Sequence, residues 1–224
     1  MGQVIIQEET NTHPISTIGK MIGLCYGSDV SNQEKNFKRG INCIKAGHGR
    51  VLEFADAFFM IQNYSARVIR EFYTHIGGAP TRVQESTRYI DYSDFTYYVP
   101  EAIAKDANAS KYYLDAMNTI QEDFKNLLAL GISKEDAANI LPLGMHSGTS
   151  VHMNARTLEN MANQRLCTRA YSEYRDLMHD LIEALSEYSY EWNVLCDMIM
   201  VCKCVKTGYC TEEYSCGRRP AKED

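Results

Sequence analysis

No apolar run in this 224-residue chain approaches the ~18 residues that a membrane span needs, so a transmembrane reading is excluded. The opening Met1-Gly-Gln-Val-Ile-Ile6 lacks a signal-peptide pattern, and Ile6 stands where a myristoylation site carries a hydroxyl. Positive charge is not in excess either. Lys and Arg number 23 against 29 Asp and Glu, giving a net charge of −6 and a pI of about 5.6. That balance argues against general attraction to nucleic acid or anionic lipid. Internal repeats, low-complexity segments and paired Cys-x-x-Cys knuckles are missing, and no Ser-His-Asp arrangement is legible. The expectation is a cytoplasmic protein whose eight cysteines are reduced.

What is present fits one large domain with a small appendage. Hydrophobic content of 45% and charged content of 23% are ordinary for a globular chain, and this length hides ~70% or more of its unfolded surface. Residues 1–200 read as the domain and 201–224 as a Cys-rich tail. A strand is expected at Val4–Gln7, and helices at Ile18–Tyr26, at Asn36–Lys45 closed by Gly47, and at Ala66–Tyr73 with Val68, Ile69 and Phe72 inward. Val51–Ile61 reads as a buried strand. The Arg82–Arg88 segment begins as a loop after Gly77-Gly78-Ala79-Pro80, and Phe95–Val99 is an aromatic, β-branched run ended by Pro100. Tyr113, Met117, Ile120, Phe124, Leu127 and Leu128 form one stripe of a helix stopped at Gly131. Ser133-Lys-Glu-Asp136 opens another helix as a capping-box pattern. A helix follows from Asn154 to Arg165, then a long one with Tyr174, Leu177, Leu181, Leu185 and Trp192 on one face.

Two polar stretches stand out in this otherwise ordinary background. The first, His75–Tyr89, carries Thr81, Arg82, Ser86, Thr87 and Arg88; the second, Met153–Arg165, carries Asn154, Arg156, Asn160 and Arg165. Guanidinium forks beside hydroxyls and amides suit phosphates and the polar edge of a base. In an acidic protein they point to small anionic ligands.

These stretches resemble the flavin-dependent thymidylate synthases. The downstream signature of that family is Leu-Pro-Leu, then Asn-Ala-Arg, an Asn four residues after that Arg, and an Arg five residues further on. Here it reads Leu141-Pro142-Leu143, Asn154-Ala155-Arg156, Asn160 and Arg165, with every spacing kept. Upstream, Ser86, Arg88 and Tyr89 match a Ser-x-Arg-Tyr ending. The resemblance covers roughly residues 36–185. It implies an α/β (α+β) fold with a mixed, largely antiparallel sheet packed against a helical half. It also implies reductive methylation of dUMP to dTMP, with FAD as cofactor, NADPH as reductant, methylenetetrahydrofolate as one-carbon donor, and a homotetramer with shared active sites.

Residue by residue, the resemblance places dUMP at Tyr73, Thr74, His75, Ile76, Gln84, Glu85, Ser86, Thr87 and Arg88, with Arg88 on the phosphate. Arg165 contacts the uracil ring and favours its ionised form, as a nearby cation does for any acid. FAD falls to Arg50, Ile76, Gly77, Gly78, Gln84, Asn154, Ala155, Arg156 and Asn160. The pattern departs at the usual Arg-His-Arg, which lands on Ile76-Gly77-Gly78, and at a second arginine position occupied by Ala138. Arg82 and Arg50 are the cations expected to compensate. A relative that binds flavin and nucleotide without methyl transfer is the alternative this departure raises.

The tail carries Cys202, Cys204, Cys210 and Cys216. Zinc, plain thiols and a redox role all remain open from that spacing, and zinc would make the tail an interaction module.

Overall fold

The computed structural model describes residues 2–222. A four-stranded sheet runs in the order β1-β2-β4-β3. The first part of the chain holds β1 (Gln3–Ile6), α1 (Pro14–Gly23), α2 (Gln33–Lys45), β2 (Asp56–Ser65), α3 (Ala66–Phe72) and β3 (Thr81–Gln84). There follow α4 (Glu101–Ala104), α5 (Ala107–Ala129), α6 (Lys134–Ala137) and β4 (His146–Asn154), then α7 (Ala155–Arg165), α8 (Ser172–Tyr188), α9 (Tyr190–Ile199) and α10 (Lys203–Thr207). Helices with an antiparallel sheet are the expected class. No helix among the described residues is long and apolar enough to cross a membrane.

The chain divides into two compact units. One is built mainly from residues 61–74 and 82–150. Its core is Tyr92, Phe95, Met117, Phe124, Ala137 and Met145, with Tyr113, Ile120, Leu127 and Leu128 of α5 packed against it. Local chemistry sets these elements as expected: Ser65 caps α3 through Val68 N–H, Ser133 caps α6 through Asp136 N–H, and Gly131 takes φ +83° just beyond α5. The backbone amides of Ala66 and Arg67 donate to the Met145 and Leu143 carbonyls, which fastens the start of α3 to the Leu-Pro-Leu segment.

The other unit combines residues 4–60 and 75–81 with the chain from Val151 onward. Within it α1 and α2 meet through glycines. A Cβ on Gly19 would sit 1.8 Å from the Asn36 carbonyl oxygen, and one on Gly40 would sit 2.2 Å from that of Ile15. Glu191 of α9 closes the start of α1, its carboxylate accepting from Ser16 N (2.7 Å) and Ser16 Oγ (2.5 Å). A buried charge therefore satisfies first-turn donors that α1 cannot satisfy itself. Gly→Ala inside a helix ordinarily stabilises by ~1 kcal/mol, whereas overpacking costs ~1–3 kcal/mol. Gly19→Ala is accordingly expected to lower the melting temperature by about 5 °C, at ~2–4 °C per kcal/mol for a chain of this size. Circular dichroism melting reads it, and an unchanged or higher midpoint would refute the close crossing.

Four local expectations are corrected. Val51–Ile61 is not one strand: Gly49–Phe54 is a 3₁₀ turn, and alternating burial begins only at Ala55, Ala57 and Phe59. The Arg82 segment opens as β3 rather than as a loop, because Glu85 N–H donates to the Gly148 carbonyl and Thr149 Oγ to that of Val83. Phe95–Val99 makes only an isolated bridge, Tyr97 with Met145. The long helix after Arg165 is two. Ser189 is extended (φ −158°, ψ 156°) and its side chain accepts from Trp192 N–H, so it starts α9 as an N-cap. Strand β4 had no counterpart in the sequence reading.

Candidate functional site

Helix α7 is the frame for most of the residues singled out. Asn154 is its N-cap, its Oδ1 accepting from Thr157 N–H at 3.0 Å, while its Nδ2 donates to the Gly78 carbonyl at 3.4 Å. Thr157 Oγ1 donates to the Gly77 carbonyl at 2.5 Å. Gly77 and Gly78 are thus pinned to the first turn of α7, and Gly78 takes φ +80° there. A Cβ at Gly78 would lie 2.4 Å from Thr157 Oγ1, whereas one at Gly77 would meet nothing. The loop approaches α7 closely at Gly78 and leaves open space at Gly77. Ile76 beside it is 75% exposed. Ala155 is buried and donates its N–H to the Ala55 carbonyl, so it positions α7 rather than reaching outward. Asn160 and Arg50 are exposed.

Arg156 and Arg165 end in different surroundings. The Nη1 of Arg156 lies 3.3 Å from Glu159, a carboxylate only 6% exposed that also takes Lys206 of α10. Arg156, Glu159 and Lys206 line a cavity of about 320 Å³ together with Lys45 and His48. Three cations around one buried carboxylate leave that cavity net positive. At the far end of α7, Arg165 Nε donates to His75 Nε2 (3.2 Å), and its guanidinium carbon lies 4.7 Å above the Tyr174 ring. His75 is 9% exposed. The acceptor role of its Nε2 leaves the ring proton on Nδ1. Arg165 is therefore a cation of fixed orientation, held by an imidazole and an aromatic face.

In the other unit, Gln84 ends β3 and Glu85 to Arg88 follow it. Gln84 Nε2 donates to Ser147 Oγ at 3.0 Å. Ser86 Oγ accepts from Arg88 N–H, and the Ser86 carbonyl accepts from the amides of Tyr89 and Ile90, so Ser86 and Thr87 lie in a turn. Arg88 pairs with Glu135 at 3.0 Å, both side chains 61% exposed. An exposed pair of this kind is worth little, so a phosphate can displace Glu135 readily. Glu85 lines a polar cavity of about 600 Å³ with Tyr92 and His146. Burial and the Glu85 charge push the Tyr92 hydroxyl up to about 12, so it stays protonated at neutral pH. Tyr73 is half-buried, and Thr74 donates from Oγ1 to the Glu71 carbonyl at the end of α3. Arg82, expected as a compensating cation, donates from Nη1 to the Phe72 carbonyl (2.9 Å) and lies 4.7 Å from the Tyr73 ring. It holds Tyr73.

Two participants escaped the sequence reading. Glu159 carries a weak signal, an acid three residues after Arg156. Lys206 carries none, because its partner lies 47 residues away. As for zinc, no group of three or more His, Cys, Asp or Glu among the described residues is placed to hold a metal ion. The tail cysteines are free thiols.

Comparison with known proteins gives one consistent answer. The family described as thymidylate synthase complementing protein matches residues 8–189. The flavin-dependent thymidylate synthase of Pyrococcus abyssi is 31% identical over 170 residues, covering 74% of this chain and 69% of that protein. The enzyme of the same name from Nitratidesulfovibrio vulgaris is 28% identical over 190 residues, covering 80% and 75%. Among solved structures, the Helicobacter pylori flavin-dependent thymidylate synthase complexed with FAD and dUMP aligns with a TM-score of 0.67 at 19% identity, over 86% of this chain and 99% of that one.

Proposed function

The chain belongs to the flavin-dependent thymidylate synthase family, and from that premise we propose that it converts dUMP to dTMP with FAD as its cofactor. The observation that carries the reading is α7, which presents Asn154-Ala155-Arg156 at one end and the His75-anchored Arg165 at the other. FAD, when bound, supplies the redox chemistry, with NADPH as reductant and methylenetetrahydrofolate as the one-carbon donor. The protein's share is binding, orientation and charge.

Arg156, Asn160 and Arg50 are the donors for the cofactor, with the Ile76-Gly77-Gly78 backbone lying against it, Gln84 contributing an amide, and Asn154 and Ala155 fixing the loop and helix around it. Arg88 takes the dUMP phosphate in exchange for Glu135. Gln84, Glu85, Ser86, Thr87, Tyr73, Thr74, His75 and Ile76 surround the nucleotide. Arg165 stabilises the ionised uracil, its orientation held by His75 and Tyr174. The positive Arg156–Lys206 cavity stands in for the two arginines lost at Ile76 and Gly78. The active assembly is a homotetramer working in the cytoplasm.

The test is an anaerobic visible spectrum of the purified protein after adding NADPH, with and without dUMP. A flavin band that bleaches faster with dUMP supports the reading. Absence of flavin binding with excess FAD would overturn it. The Ile76-Gly77-Gly78 replacement of Arg-His-Arg motivates the second reading, a relative that binds both ligands without methyl transfer, and dTMP formation separates the two.

Gly49 offers a narrower check. A Cβ there would lie 1.5 Å from Arg156 Nη1, so Gly49→Ala must displace that flexible side chain. FAD affinity is expected to fall about tenfold, ~1.4 kcal/mol, by fluorescence titration with an unchanged circular dichroism spectrum. Equal affinity would remove Arg156 from the cofactor contacts.

A further inference from the structure

Five of the eight cysteines, Cys167, Cys202, Cys204, Cys210 and Cys216, line a single cavity of about 220 Å³ beside α10. Cys202 Sγ and Cys204 Sγ are 3.6 Å apart. Cys202 is buried and is the residue before α10, while Cys204 is half-buried in its first turn. A disulfide of about 2.05 Å would need the two sulfurs to close by about 1.5 Å, within one short segment. None of the roles assigned above uses these thiols, and no metal-ligating cluster among the described residues claims them.

We propose that Cys202 and Cys204 form a thiol–disulfide exchange site whose partner is a low-molecular-weight disulfide, RSSR. The Cys204 thiolate attacks one sulfur of RSSR; the S–S bond breaks, and the departing thiolate takes up a proton as RSH. Cys202 gives its proton to solvent and attacks the Cys204 sulfur of the mixed disulfide, expelling the second RSH. Two protein thiols are oxidised to one disulfide, and RSSR is reduced to two thiols. Reversible pairs of this kind are what a reducing compartment tolerates.

The surroundings set the pace. Burial, then the neighbouring Cys202, raise the Cys204 thiol above its ordinary range, with Cys210 adding to this and the Arg218 cation opposing it. Arg169, Lys203 and Glu212 also face the cavity. Cys204 is therefore protonated at neutral pH, and exchange is slow there. Its rate climbs about tenfold per pH unit as the thiolate fraction grows. Exposed Cys216 behaves in the opposite sense, its thiol held low by the Thr168 hydroxyl, then by the Arg218 backbone and guanidinium. It is the cysteine that a small alkylating agent modifies first.

The pair also lies next to a contact of the proposed site. Lys206 sits on the same α10 and reaches Glu159, the partner of Arg156. Closing the disulfide at the first turn of α10 shifts Lys206, a consequence that rests on the cofactor reading, whereas the exchange itself does not.

The experiment treats the full-length protein with oxidised glutathione at several pH values, alkylates the remaining thiols and maps the peptides by mass. The expected result is a Cys202–Cys204 disulfide forming faster as pH rises, with Cys202→Ser leaving glutathione on Cys204 and Cys216→Ser changing nothing at the pair. Full alkylation of both residues after treatment would overturn the proposal. So would protection of both that only a chelator lifts, because that would make them metal ligands. If the disulfide forms while FAD affinity stays constant, the exchange site stands and the link through Lys206 falls.

Discussion

Arg165→Ala is expected to lower dUMP turnover by about two to three orders of magnitude, the range seen when a preorganised donor to a developing anion is removed. The physical basis is the fixed cation: Nε is bound to His75 at 3.2 Å and the guanidinium lies 4.7 Å over Tyr174. On the proposed reading Arg165 stands beside the uracil, where a cation lowers the pKa of the acidic form. Without it that pKa rises, so the ionised fraction at neutral pH falls and activity recovers partly as pH is raised. Steady-state kinetics across pH reads both effects. Lysine at the same position should restore little, since an ammonium lacks the planar fork that pairs with His75 and stacks on Tyr174. A rise in KM with kcat unchanged would place Arg165 in ordinary substrate binding instead.

Trp192→Ala should have the largest effect on stability, about 3–5 kcal/mol for emptying a fully buried aromatic site. Trp192 is 0% exposed, and its Nε1–H donates to the Asn11 carbonyl at 2.9 Å. The substitution both opens a cavity and strands that carbonyl. At ~2–4 °C per kcal/mol the melting temperature falls by roughly 6–20 °C. The protein has one tryptophan, so circular dichroism must follow the transition in the variant. A shift of only a degree or two would mean that α9 is not a pillar of its unit's core.

Elements with their own chemical start and stop signals could be read in advance. Asn154 caps α7 as its residue type suggests, Ser133 opens α6 through Asp136, and Gly131 follows α5 in the left-handed region. These are interactions spanning three or four residues, which local sequence encodes directly. The break at Ser189 was missed because the apolar stripe of α8 continues in phase into α9. Only the cap to Trp192 N–H betrays it. Strand β3 was missed because its pairing residues lie more than sixty positions away, on β4.

The site divides along the same line. The order and spacing of Asn154, Arg156, Asn160 and Arg165, the paired signatures upstream and the family they indicate were all contained in the sequence, because spacing on one helix is a local property. The anchoring of Arg165 by His75, the commitment of Arg82 to Phe72 and Tyr73, the burial of Glu159 between Arg156 and Lys206, and the gathering of five thiols around one cavity were not. Each depends on which distant segments meet and on how much water is excluded where they do. Burial and partnership, which decide whether a charge or a thiol is inert or usable, exist only once the chain has folded.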